Sequence, residues 1–295
     1  MSPTANHAAE VAWLHCQLPQ LQPLTPNLVA HRGFHCPKLS PERPLECTLE
    51  AYKHAWQAGI LNCECDVRLS ADDKILLLHD ETLERLVPEG SSQAPKAIEV
   101  KAEDLAKTPL RQDTAQVALL EEALRTAIET GGSMVVELKA TPGSSRVGQA
   151  VAHLFAEKPE LLAACVVVMS FDLSELRSFA AAFPKELRRP KVLLLTCHPK
   201  ETLNAWHQTI DLAEPHWPEV VEKHLACEEL ALDGFYIEWT AKLSTEHADS
   251  FSKLCQRAVV GVWQAHGQVD SKEEAARLVE LGATFCNTDL PRSFS

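Results

Sequence analysis

The stretch that decides the fold is residues 133–170, SMVVELKATPGSSRVGQAVAHLFAEKPELLAACVVVMS. It begins and ends with apolar runs, SMVVELKA at 133–140 and CVVVMS at 165–170, and the text between them is helical. A strand, a helix and a second strand in this order place two parallel strands in one sheet. Nearly continuous apolar strands also indicate that the sheet is covered on both faces.

The same pattern recurs along the chain. Further apolar runs predict strands at 28–33, 61–67, 191–196, 232–237, 258–263 and 283–287. A run at 73–80 follows the strand at 61–67 after only the turn SADD, so these two form a hairpin. Setting the hairpin strand aside, the alternation predicts an α/β fold, a (β/α)8 TIM barrel with a short insertion after the hairpin of the second strand.

An open doubly wound sheet is the alternative fold. It would usually carry a glycine-rich phosphate loop after its first strand. Neither G-x-G-x-x-G nor G-x-x-x-x-G-K occurs in the chain, which favours the closed barrel.

Length and composition fit one large domain. The chain has 295 residues, of which 45% are hydrophobic and 23% charged, enough to bury a sizeable core. We expect a proline-punctuated N-terminal arm at 1–27 and a single barrel domain at 28–295, in which 81–115 is a polar, turn-rich insertion.

Charge and hydropathy exclude several classes of partner. The net charge of −13 argues against nonspecific binding to nucleic acid or to an anionic membrane surface. No apolar run approaches the roughly 20 residues of a transmembrane helix, and residues 1–27 lack the pattern of a secretion signal. We therefore expect a cytoplasmic protein whose ten cysteines, from Cys16 to Cys286, are reduced and mostly buried.

The second predicted strand alternates thiols and carboxylates in NCECDVRLS, residues 62–70. Side chains two residues apart share a face of a strand, so Glu64 and Asp66 point one way and Cys63 and Cys65 the other. Structural zinc sites usually take paired cysteines from a loop or turn. Packing against the helix layer is therefore the favoured role of the two thiols, and the zinc site is the alternative.

The strand at 133–140 repeats this pattern with Glu137 and Lys139. In barrel enzymes the active site lies at the carboxyl ends of the strands. If both charged faces point there, Glu64, Asp66 and Glu137 converge, and their repulsion calls for a divalent cation. Oxygen ligands predict one hard ion, Mg²⁺ or Ca²⁺, with Mn²⁺ possible. The alternative is three solvated carboxylates.

Two histidines and two cations complete a candidate phosphodiesterase site. His31 and Arg32 follow the first strand, and the hairpin returns His79 to the side of the second strand. Two histidines beside a metal suit general acid and base catalysis, while Arg32 and Lys139 suit phosphate binding. In isolation each histidine is more often a packed or surface residue.

The chain resembles the glycerophosphodiester phosphodiesterases over residues 28–291. The resemblance rests on the order and spacing of short strings: HRG at 31–33, LECTLEAY at 45–52, ECD at 64–66, LLLHDETLER at 76–85, VELK at 136–139, SF at 170–171, VW at 262–263 and NTDLP at 287–291. It implies hydrolysis of substrates such as glycerophosphocholine or glycerophosphoethanolamine to sn-glycerol 3-phosphate and an alcohol.

The resemblance also implies residue roles. His31 and His79 match the acid and base pair, Glu64, Asp66 and Glu137 the metal ligands, and Arg32 and Lys139 the phosphate contacts. Residues 81–115 match the small insertion that caps the mouth of the barrel. Four aromatic residues could line a pocket for the alcohol, with Trp263 the candidate for substrate contact and core packing expected for at least two: Phe171, Tyr236, Trp239 and Trp263.

The chain departs from the family pattern at two places. Pro-Glu-Asn-Thr becomes LECT at 45–48, which keeps Glu46 as a supporting acid but replaces the amide with Cys47. After Trp263 the chain reads Gln264-Ala265-His266, where Thr-x-Asn is more usual, so Gln264 and His266 are pocket candidates or ordinary loop residues. A lysophospholipase-D-like or sphingomyelinase-D-like activity and a non-catalytic binding protein are the alternative functions.

Overall fold

Nine strands form one sheet in the computed structural model, which describes residues 26–35, 43–91, 94–112, 115–141, 146–196, 232–239, 244–263 and 271–289. In chain order the strands are β1 Leu28–Ala30, β2 Asn62–Leu69, β3 Ile75–Leu77, β4 Ser133–Leu138, β5 Cys165–Ser170, β6 Lys191–Thr196, β7 Gly234–Glu238, β8 Val259–Trp263 and β9 Phe285–Thr288.

The sheet closes on itself. Its strand order is β1-β9-β8-β7-β6-β5-β4-β2-β3, and β1 also pairs with β2. All neighbours in the closed ring are parallel, while β3 pairs only with β2 and is antiparallel to it. The predicted eight-stranded barrel and its hairpin are therefore confirmed.

Helices surround the barrel, and one of them, at 102–106, belongs to the insertion. Among the described residues they are α1 Leu49–Gln57, α2 Ala102–Ala106, α3 Leu120–Thr130, α4 Arg146–Glu157, α5 Leu173–Ala182, α6 Ala248–Cys255 and α7 Lys272–Glu280, with 3-10 turns at Ala97–Glu99 and Pro159–Ala163. The side chains of Thr48, Asp172 and Ser271 accept backbone N–H groups at the starts of α1, α5 and α7. None of the described helices is long and apolar enough to cross a membrane.

The two faces of the strands bury different sets of side chains. The barrel interior contains a cluster of mainly apolar residues: Val29, Val135, Val167, Met169, Leu193, Leu195, Tyr236 and Trp263. The alternate residues of the same strands pack outward in the larger core between strands and helices. This alternation decides which polar residues of β2 and β4 enter the barrel.

The first strand is shorter than predicted. It ends at Ala30, because the backbone turns at Arg32 and Gly33, whose φ angles are 56° and 80°. A Cβ atom on Gly33 would lie 2.8 Å from the carbonyl carbon of Ala51, so only glycine fits there. The turn places His31 and Arg32 at the carboxyl end of the barrel instead of inside a strand.

The insertion at 81–115 has a small apolar cluster of its own in its described part. The cluster joins β3 and the loop before α1 to the insertion: Leu45, Leu76, Leu78, Leu83, Leu86, Val87, Ala97, Leu105, Leu110 and Val117. Gln112 fixes this segment by accepting the N–H of Leu45 and donating to the carbonyl of Arg43. The assignment of 28–295 to a single domain stays a prediction, and 1–25 lie outside the described residues.

Candidate active site

Three carboxylates converge inside the carboxyl end of the barrel. Glu64 and Asp66 point inward from β2, and Glu137 points inward from the neighbouring β4, where it is the register partner of Asp66. One ligand atom from each of the three lies within 4.8 Å of the others, and all three residues are buried. The strand parity expected from the sequence thus brings the proposed metal ligands together.

The state of Glu64 fits a cation at this place. Burial and the charge of Asp66 raise the pKa of Glu64 to about 8, and burial also raises the pKa of Glu137. Atom Oε1 of Glu64 is buried without a hydrogen-bond partner among the described residues. A hard cation would neutralise the negative charge of the ionised carboxylates and would bind Oε1 of Glu64. Oxygen ligands of this kind are those that Mg²⁺ and Ca²⁺ prefer.

Lys139 and Arg32 surround Asp66 with positive charge. Lys139 Nζ lies 2.9 Å from Oδ1 of Asp66, and Arg32 Nε lies 3.2 Å from Oδ2. Although burial alone would raise it, Lys139 and His79 hold the pKa of Asp66 well below its usual range. Lys139 also contacts Oε1 of Glu137 at 2.5 Å. Both predicted phosphate-binding residues therefore lie beside the carboxylates.

His31 is held between two acids. Its Nδ1 lies 2.7 Å from Oδ1 of Asp289, just after β9, and its Nε2 lies 3.9 Å from Oε2 of Glu64. Burial alone would lower the pKa of His31, but the charge and hydrogen bond of Asp289 raise it above its ordinary value. The ring is thus fixed at one nitrogen and faces the carboxylate cluster with the other.

His79 reaches the same region through the hairpin. The Leu78 N–H donates to the carbonyl of Asp66 at 3.0 Å, which brings the end of β3 beside β2. Nδ1 of His79 lies 2.7 Å from Oδ1 of Asp80. Burial and the charge of Lys139 lower the pKa of His79 to about 4, so the imidazole is neutral at pH 7.

Glu46 connects Arg32 to Arg85. It accepts Nη1 of Arg32 at 3.1 Å and both terminal nitrogens of Arg85 at 2.8 Å. Burial would raise the pKa of Glu46, but the hydrogen bond from Arg85 and the charge of Arg32 lower it strongly, so the carboxylate is ionised. Its described hydrogen bonds are with these two guanidinium groups, and its supporting role stays a prediction.

The cysteines divide as expected from strand parity. Cys63 and Cys65 are fully buried in the outer core with the helices, away from the carboxylates. Cys47, in contrast, lies at the mouth with its thiol donating to Oδ2 of Asp66 at 3.7 Å. It has a φ of 56°, a backbone region that asparagine adopts more readily than most residues. Cys47 therefore offers Asp66 a weak thiol contact at the position where the family resemblance predicts an asparagine.

The predicted aromatic residues take different positions. Trp263 is buried at the end of β8, donates Nε1 to the carbonyl of Thr196 at 3.0 Å and meets Phe171 edge-on. Tyr236 is fully buried inside the barrel, and Trp239 packs against the outer core. Phe171 and Trp263 remain the candidates for a wall of the pocket. Gln264 and His266 lie outside the described residues.

Sequence reasoning missed three acidic or basic partners of the proposed catalytic groups. Asp80 follows His79 directly, Arg85 lies five residues farther on, and Asp289 belongs to the string at 287–291. Each lay inside a string that carried the resemblance, so the signal was present. Their contacts depend on the backbone of the loops that follow the strands. Strand periodicity does not predict where side chains in these loops point.

The comparisons with known proteins concern the family and the fold. The model of the glycerophosphoryl diester phosphodiesterase family matches residues 31–224. A glycerophosphodiester phosphodiesterase from Bacillus altitudinis is 29% identical over 166 residues, covering 54% of this chain and 63% of that protein. A probable glycerophosphodiester phosphodiesterase from Mycobacterium tuberculosis is 45% identical over 60 residues, or 20% of each chain. The chain thus matches less than two thirds of the length of these relatives.

Solved structures show the same fold. A phosphodiesterase from Oleispira antarctica, determined with the product sn-glycerol 3-phosphate, superposes with a TM-score of 0.63 at 19% identity, covering 91% of this chain and 95% of that one. A glycerophosphodiester phosphodiesterase from Thermotoga maritima gives 0.60 at 22% identity over 90% and 96%. Since the family model spans most of the chain, including the strands that carry the carboxylates, this protein belongs to the glycerophosphoryl diester phosphodiesterase family.

Proposed function

We propose that this protein is a metal-dependent phosphodiesterase that hydrolyses a glycerophosphodiester to sn-glycerol 3-phosphate and an alcohol. Glycerophosphocholine and glycerophosphoethanolamine are the substrates we propose. The observation that carries the proposal is the buried cluster of Glu64, Asp66 and Glu137, with His31 3.9 Å from Glu64 and His79 close enough to act electrostatically on Asp66. Family membership supports the reaction class.

Arg32 and Lys139 are proposed to bind the phosphate. Both lie against Asp66 and are cationic, because the carboxylates around them raise the pKa of each despite burial. A substrate phosphate beside them would share their charge with Asp66. A divalent cation held by Glu64, Asp66 and Glu137 would supply further positive charge to the phosphoryl oxygens.

His31 and His79 are proposed to move the protons. One histidine accepts the proton of the attacking hydroxyl, either the neighbouring glycerol hydroxyl or a water, as the new bond to phosphorus forms. The other donates a proton to the alcohol oxygen as its bond to phosphorus breaks. Attack by the glycerol hydroxyl gives a cyclic phosphate, which a water then opens with the proton transfers reversed.

Larger lipids are the alternative substrates, as in lysophospholipase-D-like or sphingomyelinase-D-like activity. They share the phosphodiester chemistry and differ in needing room for an acyl chain. A non-catalytic binding role is less well supported, because His31, His79 and the three carboxylates keep their chemically competent side chains. The absence of a nucleic-acid partner and the cytoplasmic location stay predictions of the sequence.

The test is direct hydrolysis. We expect purified protein with Mg²⁺, Ca²⁺ or Mn²⁺ to release glycerol 3-phosphate from glycerophosphocholine or glycerophosphoethanolamine, and a chelator to stop the release. Lysophosphatidylcholine and sphingomyelin, run in parallel, distinguish the larger-lipid alternative. Failure to hydrolyse any of these diesters with any of the three ions would refute a catalytic function, and release that persists in a chelator would refute the metal requirement.

A further inference from the structure

Arg85 binds two carboxylates at the carboxyl end of the barrel, although it is not one of the proposed catalytic residues. Its Nε donates to Oδ2 of Asp80, and its two terminal nitrogens donate to the two oxygens of Glu46 at 2.8 Å each. A planar guanidinium can serve both acids at once, because its donors point along two edges. A lysine ammonium has no such pair of edges.

Asp80 carries this contact on to His79. Its Oδ2 accepts from Arg85, and its Oδ1 lies 2.7 Å from Nδ1 of His79. Burial would raise the pKa of Asp80, but the hydrogen bonds with His79 and Arg85 lower it strongly, so Asp80 is ionised and only accepts. The neutral ring of His79 therefore carries its proton on Nδ1 and presents Nε2 as the basic atom.

The terminal nitrogens of Arg85 connect it, through Glu46, to the proposed phosphate-binding residue Arg32. Glu46 accepts from Arg85 and from Arg32, so the two arginines share one carboxylate. The resulting chain of contacts runs from Arg32 through Glu46, Arg85 and Asp80 to His79. It connects the loop after β1 to the hairpin of β3.

We infer that Arg85 is a positioning residue that acts through Asp80 to hold the ring of His79 in its catalytic orientation and tautomer. The inference deepens the proposed function and rests on it for its effect on turnover. Arg85 itself touches none of the groups proposed to bind substrate or cation directly; its described partners are Asp80 and Glu46.

A kinetic experiment tests the effect on turnover. We expect Arg85→Ala to lower kcat for glycerophosphocholine about 10- to 100-fold with KM changed less than about threefold, because an acid or base that is misplaced by about an ångström loses most of its effect. Arg85→Lys should recover little, since an ammonium cannot serve both acids. Millimolar guanidinium should partly restore Arg85→Ala, because the native side chain is 46% exposed and its place is open to solvent.

Two controls separate positioning from general damage. Arg125→Ala removes an arginine of the same 46% exposure that pairs with Glu121 on α3, far from the mouth in the chain, and should leave kcat unchanged. In a His79→Ala background, Arg85→Ala should cause no further loss, since residues that act as a unit are not additive. Losses that multiply in the double variant, or a kcat of Arg85→Ala within twofold of wild type, would overturn the inference.

A spectroscopic experiment tests the same inference without turnover. In nitrogen-15 NMR the ring of His79 should show protonated Nδ1 in the wild type and in Arg125→Ala, and a mixture of tautomers in Arg85→Ala. An unchanged His79 spectrum in Arg85→Ala would overturn the inference whatever the kinetics show. A changed spectrum in a protein that hydrolyses none of the diesters would refute the proposed function and leave the positioning role standing.

Discussion

His31 and Asp289 lie at opposite ends of the described barrel sequence, yet Nδ1 of His31 is 2.7 Å from Oδ1 of Asp289. The contact forms because β1 and β9 are parallel neighbours, with Ala30 in register with Thr288, so the residues that follow them meet. The site on this side therefore exists only when the barrel is closed. Hydrogen bonding to an acid also directs the proton of a neutral His31 to Nδ1 and leaves Nε2 basic.

Asp289→Asn is the first predicted loss of function. An amide lacks the negative charge that stabilises a protonated imidazole, so we expect the pKa of His31 to fall and kcat to drop about 10- to 100-fold. Proton NMR titration and steady-state hydrolysis of glycerophosphocholine measure the two effects. Asp104→Asn, which changes an exposed acid on α2, is the control. An unchanged pKa of His31 would contradict the contact, and an unchanged kcat would contradict its importance.

The two histidines should respond differently to the leaving group. We expect His31→Ala and His79→Ala each to lower hydrolysis of glycerophosphocholine about 10²- to 10⁴-fold. With a glycerophosphate ester of p-nitrophenol, which leaves without protonation, the variant that lacks the general acid should recover most of its rate. The other variant should stay impaired. Equal losses on both substrates would contradict the division of roles, and near-normal rates on the choline ester would remove that histidine from the mechanism.

Cation binding should depend on Glu64. Oε1 of Glu64 has no hydrogen-bond partner among the described residues, and Oε2 accepts the N–H of Arg32. Glu64→Gln therefore removes the charge of a proposed ligand but keeps one oxygen that can accept the N–H of Arg32. A cation at 100 times its Kd stabilises the folded state by about 2.7 kcal/mol. We expect Mg²⁺ or Ca²⁺ to raise Tm in the wild type and in Asp104→Asn, and to raise it much less in Glu64→Gln. Equal shifts in all three proteins would place the cation elsewhere.

Glu175 should make stability depend on pH. It is fully buried between α4 and α5, accepts the N–H of Gly148 at 2.7 Å, and burial raises its pKa to about 7. In the unfolded chain this pKa is about 4.3, so between these values the folded protein binds more protons. The free energy of unfolding contributed by this group therefore falls as pH rises from about 4 to about 7, by about 3 kcal/mol.

Glu175→Gln tests this contribution. We expect the variant to lose that part of the pH dependence and to be more stable than wild type at pH 8, as measured by urea unfolding at pH 5 and pH 8. Glu157→Gln, on the exposed face of α4, should behave like wild type. If the free energy of unfolding decreases between pH 5 and pH 8 by the same amount in Glu175→Gln as in the wild type, other groups cause the decrease.

The thiols of β2 should be dispensable for chemistry. Cys63 and Cys65 face the helices, so replacing both with alanine should cost about 1 kcal/mol of stability each and leave kcat and cation affinity unchanged. Urea unfolding and isothermal titration calorimetry measure these quantities. Loss of activity together with loss of bound zinc would show that the two thiols of β2 bind the metal in place of its carboxylates.

The sequence predicts the barrel because each strand is an apolar run of about the right length. Strand parity puts Glu64 and Asp66 on one face of β2, and the assumption that the charged faces point inward adds Glu137 of β4. The exact end of β1 is not predicted, since it depends on the close approach of Gly33 to Ala51. Asp289 is missed as a partner of His31 for a related reason. Its position follows from barrel closure, which is a property of the whole sheet and of no local pattern.

Strand β3 separates the packing of the insertion from the packing of the barrel interior. β3 hydrogen-bonds to β2 outside the closed ring, and the insertion that follows packs in its own small cluster. Substitutions in this cluster can therefore change the packing of the insertion without repacking the barrel interior next to the carboxylates, provided that His79, Asp80 and Arg85 keep their places.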